Sequence, residues 1–200
     1  MLNIKIAKEK DKAQGYWLSL PADNEQKFKV LRKLDEGEPI GKTIAICITE
    51  VESSVPNLKQ YIHEHDSIEQ LNILAAKIKK MTDMDADIFS GALDMEAVNR
   101  LEDVMRIANN LRDYKLFPDV NTPKELGVYL VDSGAVEIHK SAWPYLDYEL
   151  VAAEYEANHT GTYTNLGYMV KTDDSTGQTI AGEKQTVKFF SPLTITIIIP

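Results

Sequence analysis

Thr43-Ile44-Ala45-Ile46-Cys47-Ile48-Thr49 is β-branched almost throughout and bounded by Gly41, while Ser67-Ile68-Glu69-Gln70-Leu71 opens a different period a short way downstream. The first run predicts a strand, because branched side chains fit a pleated surface. In the second, Ser67 with Gln70 three positions on forms a capping-box signature, and Ile68, Leu71, Leu74, Ala75, Ile78 and Met81 follow at helical spacing. The chain therefore passes from strand period to helix period at this point, and both kinds of element are expected.

Working outward, Leu2, Ile4 and Ile6 alternate with polar residues, and Tyr16-Trp17-Leu18 makes a second apolar run. After Pro21, Phe28, Val30, Leu31 and Leu34 suit one face of a short helix that ends before Gly37 and Pro39. These pieces with the strand at 43–49 make a strand, helix and strand platform. On the other side, a helix is expected from Asp94 as N-cap, with Met95, Val98, Leu101, Val104, Ala108 and Leu111 on one face. Ala86, Phe89 and Ala92 allow a shorter helix before it, so residues 67–112 read as a small helical bundle. Leu116-Phe117-Pro118-Asp119-Val120 reads as a turn leading to Thr122 as N-cap and Pro123 at the first helical position, and that helix stops at Gly134. A further helix is expected over residues 145–157, a strand over 163–170, and β-rich runs at 186–190 and 193–199 after a turn at Asp173-Asp174-Ser175-Thr176-Gly177. The first sixty residues thus read as a small mixed unit, followed by the helical bundle and then by mixed helix and strand signals.

Two hundred residues allow one domain or two small ones, and 44% hydrophobic residues mark a folding chain. The balance of 22 Lys+Arg against 31 Asp+Glu gives a net charge of -9, which disfavours direct binding to DNA or an anionic membrane. The acidity is uneven. Residues 1–60 sum to +1, residues 61–170 carry 9 basic and 19 acidic side chains, and residues 171–200 balance. The apolar run at 193–199 is interrupted by Thr194 and Thr196 and is far shorter than the ~20 residues of a membrane helix. The opening Met1-Leu2-Asn3-Ile4-Lys5 lacks an apolar leader core and Cys47 is the lone cysteine, so a cytoplasmic location is expected.

Sequence motifs for chemistry are sparse. His63-Glu64-His65-Asp66 sets four ligand types in a row, but consecutive side chains cannot all converge on one ion, so it reads as a solvated loop before the Ser67 cap. Asp83, Asp85 and Asp87 imitate the start of a calcium loop, yet Ile88 stands where the sharp turn needs glycine. Gly161 to Gly167 lacks a phosphate-loop lysine and reads as a turn feeding a strand. No nucleophile elbow, phosphate loop or His-Glu-x-x-His motif is present, so neither a catalytic residue, a metal nor a cofactor is assigned. What remains is an acidic surface: Asp83, Asp85, Asp87, Glu96, Glu102, Asp103, Asp113, Asp119, Glu125, Asp132, Glu137, Asp147, Glu149, Glu154 and Glu156. Composition alone assigns such a surface to solubility.

An ordered series of segments resembles the ArdA family of antirestriction proteins of conjugative plasmids and transposons. It runs from Gly15-Tyr16-Trp17-Leu18-Ser19-Leu20-Pro21 through Ile48-Thr49-Glu50-Val51-Glu52-Ser53 to Asp66-Ser67-Ile68-Glu69-Gln70-Leu71-Asn72. Asn110-Leu111, Asp113-Tyr114, Phe117-Pro118-Asp119-Val120, Leu126-Gly127-Val128-Tyr129, Tyr145-Leu146-Asp147-Tyr148-Glu149 and the segment 161–168 continue it in order. The resemblance implies an elongated α+β chain of three small domains, often dimerised: a small α+β domain over residues 1–60, a helical domain over 61–117 and an α+β domain over 118–170, with a β-rich extension over 171–200. It also implies a non-enzymatic mimic of B-form DNA that occupies the DNA groove of type I restriction-modification enzymes, without a cofactor. Under that reading the acids just named, Glu137 aside, form the contact surface, and Tyr145 and Tyr148 serve as core or dimer contacts.

The mimicry has a physical basis, because fixed carboxylates engage the Lys and Arg groups that otherwise neutralise phosphates. Asp83 with Asp87 and Glu149 with Glu156 are candidate rows on helix faces. Duplex DNA carries on the order of 20 charges per turn of about 34 Å, so the excess of acids in residues 61–170 approaches that density in a dimer. The first domain departs from a uniformly acidic pattern, with Lys5, Lys8, Lys10, Lys12, Lys27, Lys29, Arg32 and Lys33. The alternative reading is a non-catalytic interaction module of a conjugative mobile element whose acidity is incidental. A metal protein or hydrolase built around His63 and His65 is a third.

Overall fold

The computed structural model describes residues 1–36 and 44–172. The β-rich runs expected at 186–190 and 193–199 lie outside the described residues. The expected α+β class is observed, with two three-stranded antiparallel sheets among helices.

The first sheet has the order β2 (Asp11–Leu20), β1 (Leu2–Lys8), β3 (Ile46–Ser53), all antiparallel. Alternation in β1 turns Leu2, Ile4 and Ile6 into the core, where each is essentially inaccessible. Of the strand expected at 43–49, Thr43 lies outside the described residues and Ile46 onward forms β3, which pairs with β1 from Lys8 opposite Ile46 to Leu2 opposite Ser53. Helix α1 (Asn24–Asp35) starts at a reciprocal cap between Asp23 and Gln26. Its expected apolar face is only partly used: Leu34 is buried, whereas Phe28 is 60% exposed beneath the Arg32 guanidinium. The side of α1 toward the body holds Lys27, whose ammonium sits 2.8 Å from Glu69.

Helices α2 (Ile68–Ile78), α3 (Asp83–Met95) and α4 (Leu101–Asn109) form the expected helical group. The Ser67 hydroxyl accepts the Gln70 amide at the start of α2. Asp94 is not an N-cap; it lies in the last turn of α3, which begins earlier at a reciprocal Thr82 and Asp85 cap. The Asp94 carboxylate accepts from Asn57 Nδ2 at 2.9 Å and from Tyr61 Oη at 3.3 Å, tying α3 to the segment after β3. Helix α4 starts where the Asn99 and Arg100 amides both donate to Asp103.

The second sheet has the order β4 (Tyr114–Pro118), β6 (Gly167–Lys171), β5 (Gly161–Thr164). The segment expected as a turn at 116–120 is mostly strand, because long-range pairing of Leu116 with Met169 and Phe117 with Tyr168 overrides its local turn chemistry. The turn proper is at Asp119, in the left-handed region at φ 61°. The single strand expected at 163–170 is a hairpin. Gly167 adopts φ 134° there, and Leu166 N donates to Thr164 Oγ1. Gly91 of α3 lies against Met169, where a Cβ would meet Met169 Cε at 2.4 Å. Leu2, Leu74, Phe89, Val104 and Met169 thus belong to one core.

The described residues pack as two units, one of Met1–Asn121 with His159–Thr172 and one of Thr122–Asn158. The smaller contains α5 (Pro123–Asp132), a 3-10 turn at Lys140–Tyr145 and α6 (Tyr148–Asn158). Helix α6 starts three residues later than expected, since Pro144 sits in the 3-10 turn and Asp147 provides the cap. Residue 118, the expected start of a third domain, is the last residue of β4.

Candidate partner-binding surface

The smaller unit is held by its caps and one close contact. Thr122 and Glu125 cap α5 reciprocally, with Glu125 N donating to Thr122 Oγ1 at 3.2 Å and Thr122 N to the Glu125 carboxylate at 3.1 Å. Asp147 Oδ1 accepts the Glu149 and Leu150 amides at 3.1 and 3.2 Å, satisfying donors that the first turn of α6 otherwise leaves open. Between the helices, a Cβ on Gly127 would lie 1.9 Å from the Tyr148 carbonyl oxygen, so only glycine permits this approach. Leu126, Leu130, Val131 and Ala152 are buried.

On this small scaffold stand Glu125, Asp132, Glu137, Asp147, Glu149, Glu154 and Glu156 against only Lys124 and Lys140, a net of -5 from seven acids and two bases. Asp132, Asp147, Glu149 and Glu154 are exposed and Glu156 is half-buried. Helical geometry puts Glu149 and Glu156 along one edge of α6, about 10 Å apart, and Glu154 on the other. Between these edges Leu150, 66% exposed, and Ala153 face water, and Tyr145 just before the helix is 88% exposed.

The larger unit handles its acids differently. Its described residues carry 20 acidic and 17 basic side chains, a net of -3 over more than three times the length. Lys5 lies 2.6 Å from Glu50, Lys12 2.5 Å from Glu64, Lys27 2.8 Å from Glu69 and Lys29 2.8 Å from Glu25. The Lys12 ammonium holds the Glu64 carboxyl below its ordinary pKa. Glu96 is the most engaged: it accepts from Lys171 Nζ at 2.7 Å and from Tyr114 Oη at 2.8 Å, with Arg106 at 3.7 Å. Its side chain is 17% exposed. The Lys171 bond is the main cause that lowers the Glu96 pKa, and burial followed by the bond to Glu96 pushes Tyr114 up to about 12.

The remaining acids of interest occupy separate elements. Asp83, Asp85 and Asp87 begin α3, with Asp85 held below its ordinary pKa by the Thr82 amide. Glu102 and Asp103 begin α4, Asp113 ends a 3-10 turn before β4, and Asp119 follows β4. The structure therefore gathers Glu125, Asp132, Asp147, Glu149, Glu154 and Glu156 on one helix pair and distributes the others. In the 63–66 loop, His63 and His65 are exposed, and the Asp66 carboxylate accepts the His63 amide at 2.7 Å. Among the described residues no group of three or more His, Cys, Asp or Glu side chains is placed to hold a metal. No helix among them is long and apolar enough to cross a membrane.

Against this geometry, the sequence matches the family model described as antirestriction protein (ArdA) over residues 9–170. The chain belongs to the ArdA antirestriction family. The ArdA match reaches from the β1–β2 turn to Val170 of β6 and leaves out residues 1–8 and 171–200. No curated protein matches the chain. ArdA membership implies action against restriction systems and hence a protein partner.

Two features escaped the sequence reading of this ArdA chain. The cluster around Glu96 joins residues 75 positions apart and has no local signature. Gly127 did carry a signal, as a glycine inside a helical pattern, a position that costs stability unless a close neighbour requires it.

Proposed function

We propose that this ArdA family member is a non-enzymatic, cytoplasmic inhibitor that mimics B-form DNA and occupies the DNA groove of a type I restriction-modification enzyme. The observation that carries the reading is the net negative charge of residues 122–158, seven acids against two bases, set on capped helices within a chain of the antirestriction family. Glu125, Asp132, Asp147, Glu149, Glu154 and Glu156 supply the densest part of the contact surface. Asp83, Asp85, Asp87, Glu102, Asp103, Asp113 and Asp119 extend it, while Glu96, expected there from the sequence, is engaged by Lys171 and Tyr114 within the larger unit. Such a surface competes with DNA through the same cationic groups that bind phosphates.

The reading includes the elongated, three-domain build of the family and a homodimer. The exposed Tyr145, Leu150 and Ala153 supply an apolar seam for that dimer, since large exposed apolar groups are most readily buried against another surface. Two copies bring the acid count nearer to that of a turn of duplex.

The test is displacement of a DNA duplex from a type I methyltransferase core at two salt concentrations, with light scattering giving the inhibitor's mass. Displacement near one inhibitor per groove, weakening as salt rises, is expected. No displacement from cores of several type I families would overturn mimicry and leave an interaction module whose acidity is incidental.

A further inference from the structure

We draw no further inference here: the strongest candidate, the exposed apolar face of α6 that carries Leu150 and Ala153 beside Tyr145, belongs to the dimer seam already proposed, and nothing in the structure shows a different partner covering it.

Discussion

The larger unit sets Glu25, Glu50, Glu64, Glu69 and Glu96 against ammonium and guanidinium groups beside its caps at Asp23, Asp85 and Asp103; the helix pair of residues 122–158 caps with Glu125 and Asp147 and leaves Asp132, Glu149 and Glu154 exposed. The difference is one of charge as well as geometry. An ion pair fixes a carboxylate by cancelling it, whereas a cap fixes it with N–H donors that carry no formal charge. Asp147 is held in place by two uncharged amides, while Glu96 is held as a carboxylate beside cations that offset its charge. A surface that must present fixed negative charge is better built from caps than from salt bridges.

The most severe way to break the comparison is to remove the smaller unit's packing. Gly127→Leu forces side-chain atoms into the Tyr148 backbone, and a cost of about 3 kcal/mol is expected for overpacking of this kind. Hydrogen exchange should show amides of residues 122–158 losing protection while those of β1 and α2 keep it. Equal loss in both would mean that the two do not unfold separately.

Glu96→Gln attacks the opposite strategy. Loss of the charged acceptor for Lys171 and Tyr114 should cost about 2 kcal/mol in a denaturant titration, with DNA displacement unchanged. Because the Glu96 pKa is depressed in the folded state, its contribution is complete above the usual carboxylate range and disappears as pH falls through the folded value. The gap between wild type and variant should accordingly close in acid. A gap that persisted at low pH would assign the effect to packing.

Asp147 separates cap from charge within one residue. Asp147→Asn retains an oxygen for the Glu149 and Leu150 amides, while Asp147→Ala removes it at a cost of about 1 kcal/mol. Both remove the same charge, so thermal unfolding should distinguish them and displacement should not. The smallest effect is expected at Glu50→Gln, where an exposed carboxylate leaves Lys5: about 0.5 kcal/mol or less, read by the same unfolding measurement.

Local chemistry made much of this fold legible. The alternation of Leu2, Ile4 and Ile6, the Ser67 cap and the Thr122-Pro123 start all stand where the sequence places them, because each is decided by neighbours within a few residues. The second sheet was harder to read. Its central strand pairs with residues about fifty positions earlier, and that pairing made a strand of Leu116 and Phe117 and a hairpin of residues 161–171. Asp94 misled for a related reason: an aspartate before an apolar series resembles a cap until the Thr82 and Asp85 box is seen to start the helix earlier. The acidic candidates were legible as a list but not as a surface, since sequence records a charge without recording which ones meet a lysine.

The most direct measurement compares matched charge removal in the two units. One variant carries Asp147→Asn, Glu149→Gln, Glu154→Gln and Glu156→Gln; the other carries Asp83→Asn, Asp87→Asn, Glu102→Gln and Asp119→Asn. Each is titrated against duplex bound to a type I methyltransferase core at low and moderate salt. The account predicts that the first variant needs about tenfold more protein for half displacement and shows a flatter salt dependence, while the second shifts far less. Equal shifts, or a larger one in the second variant, would contradict the claim that the net negative charge of residues 122–158 carries the inhibition.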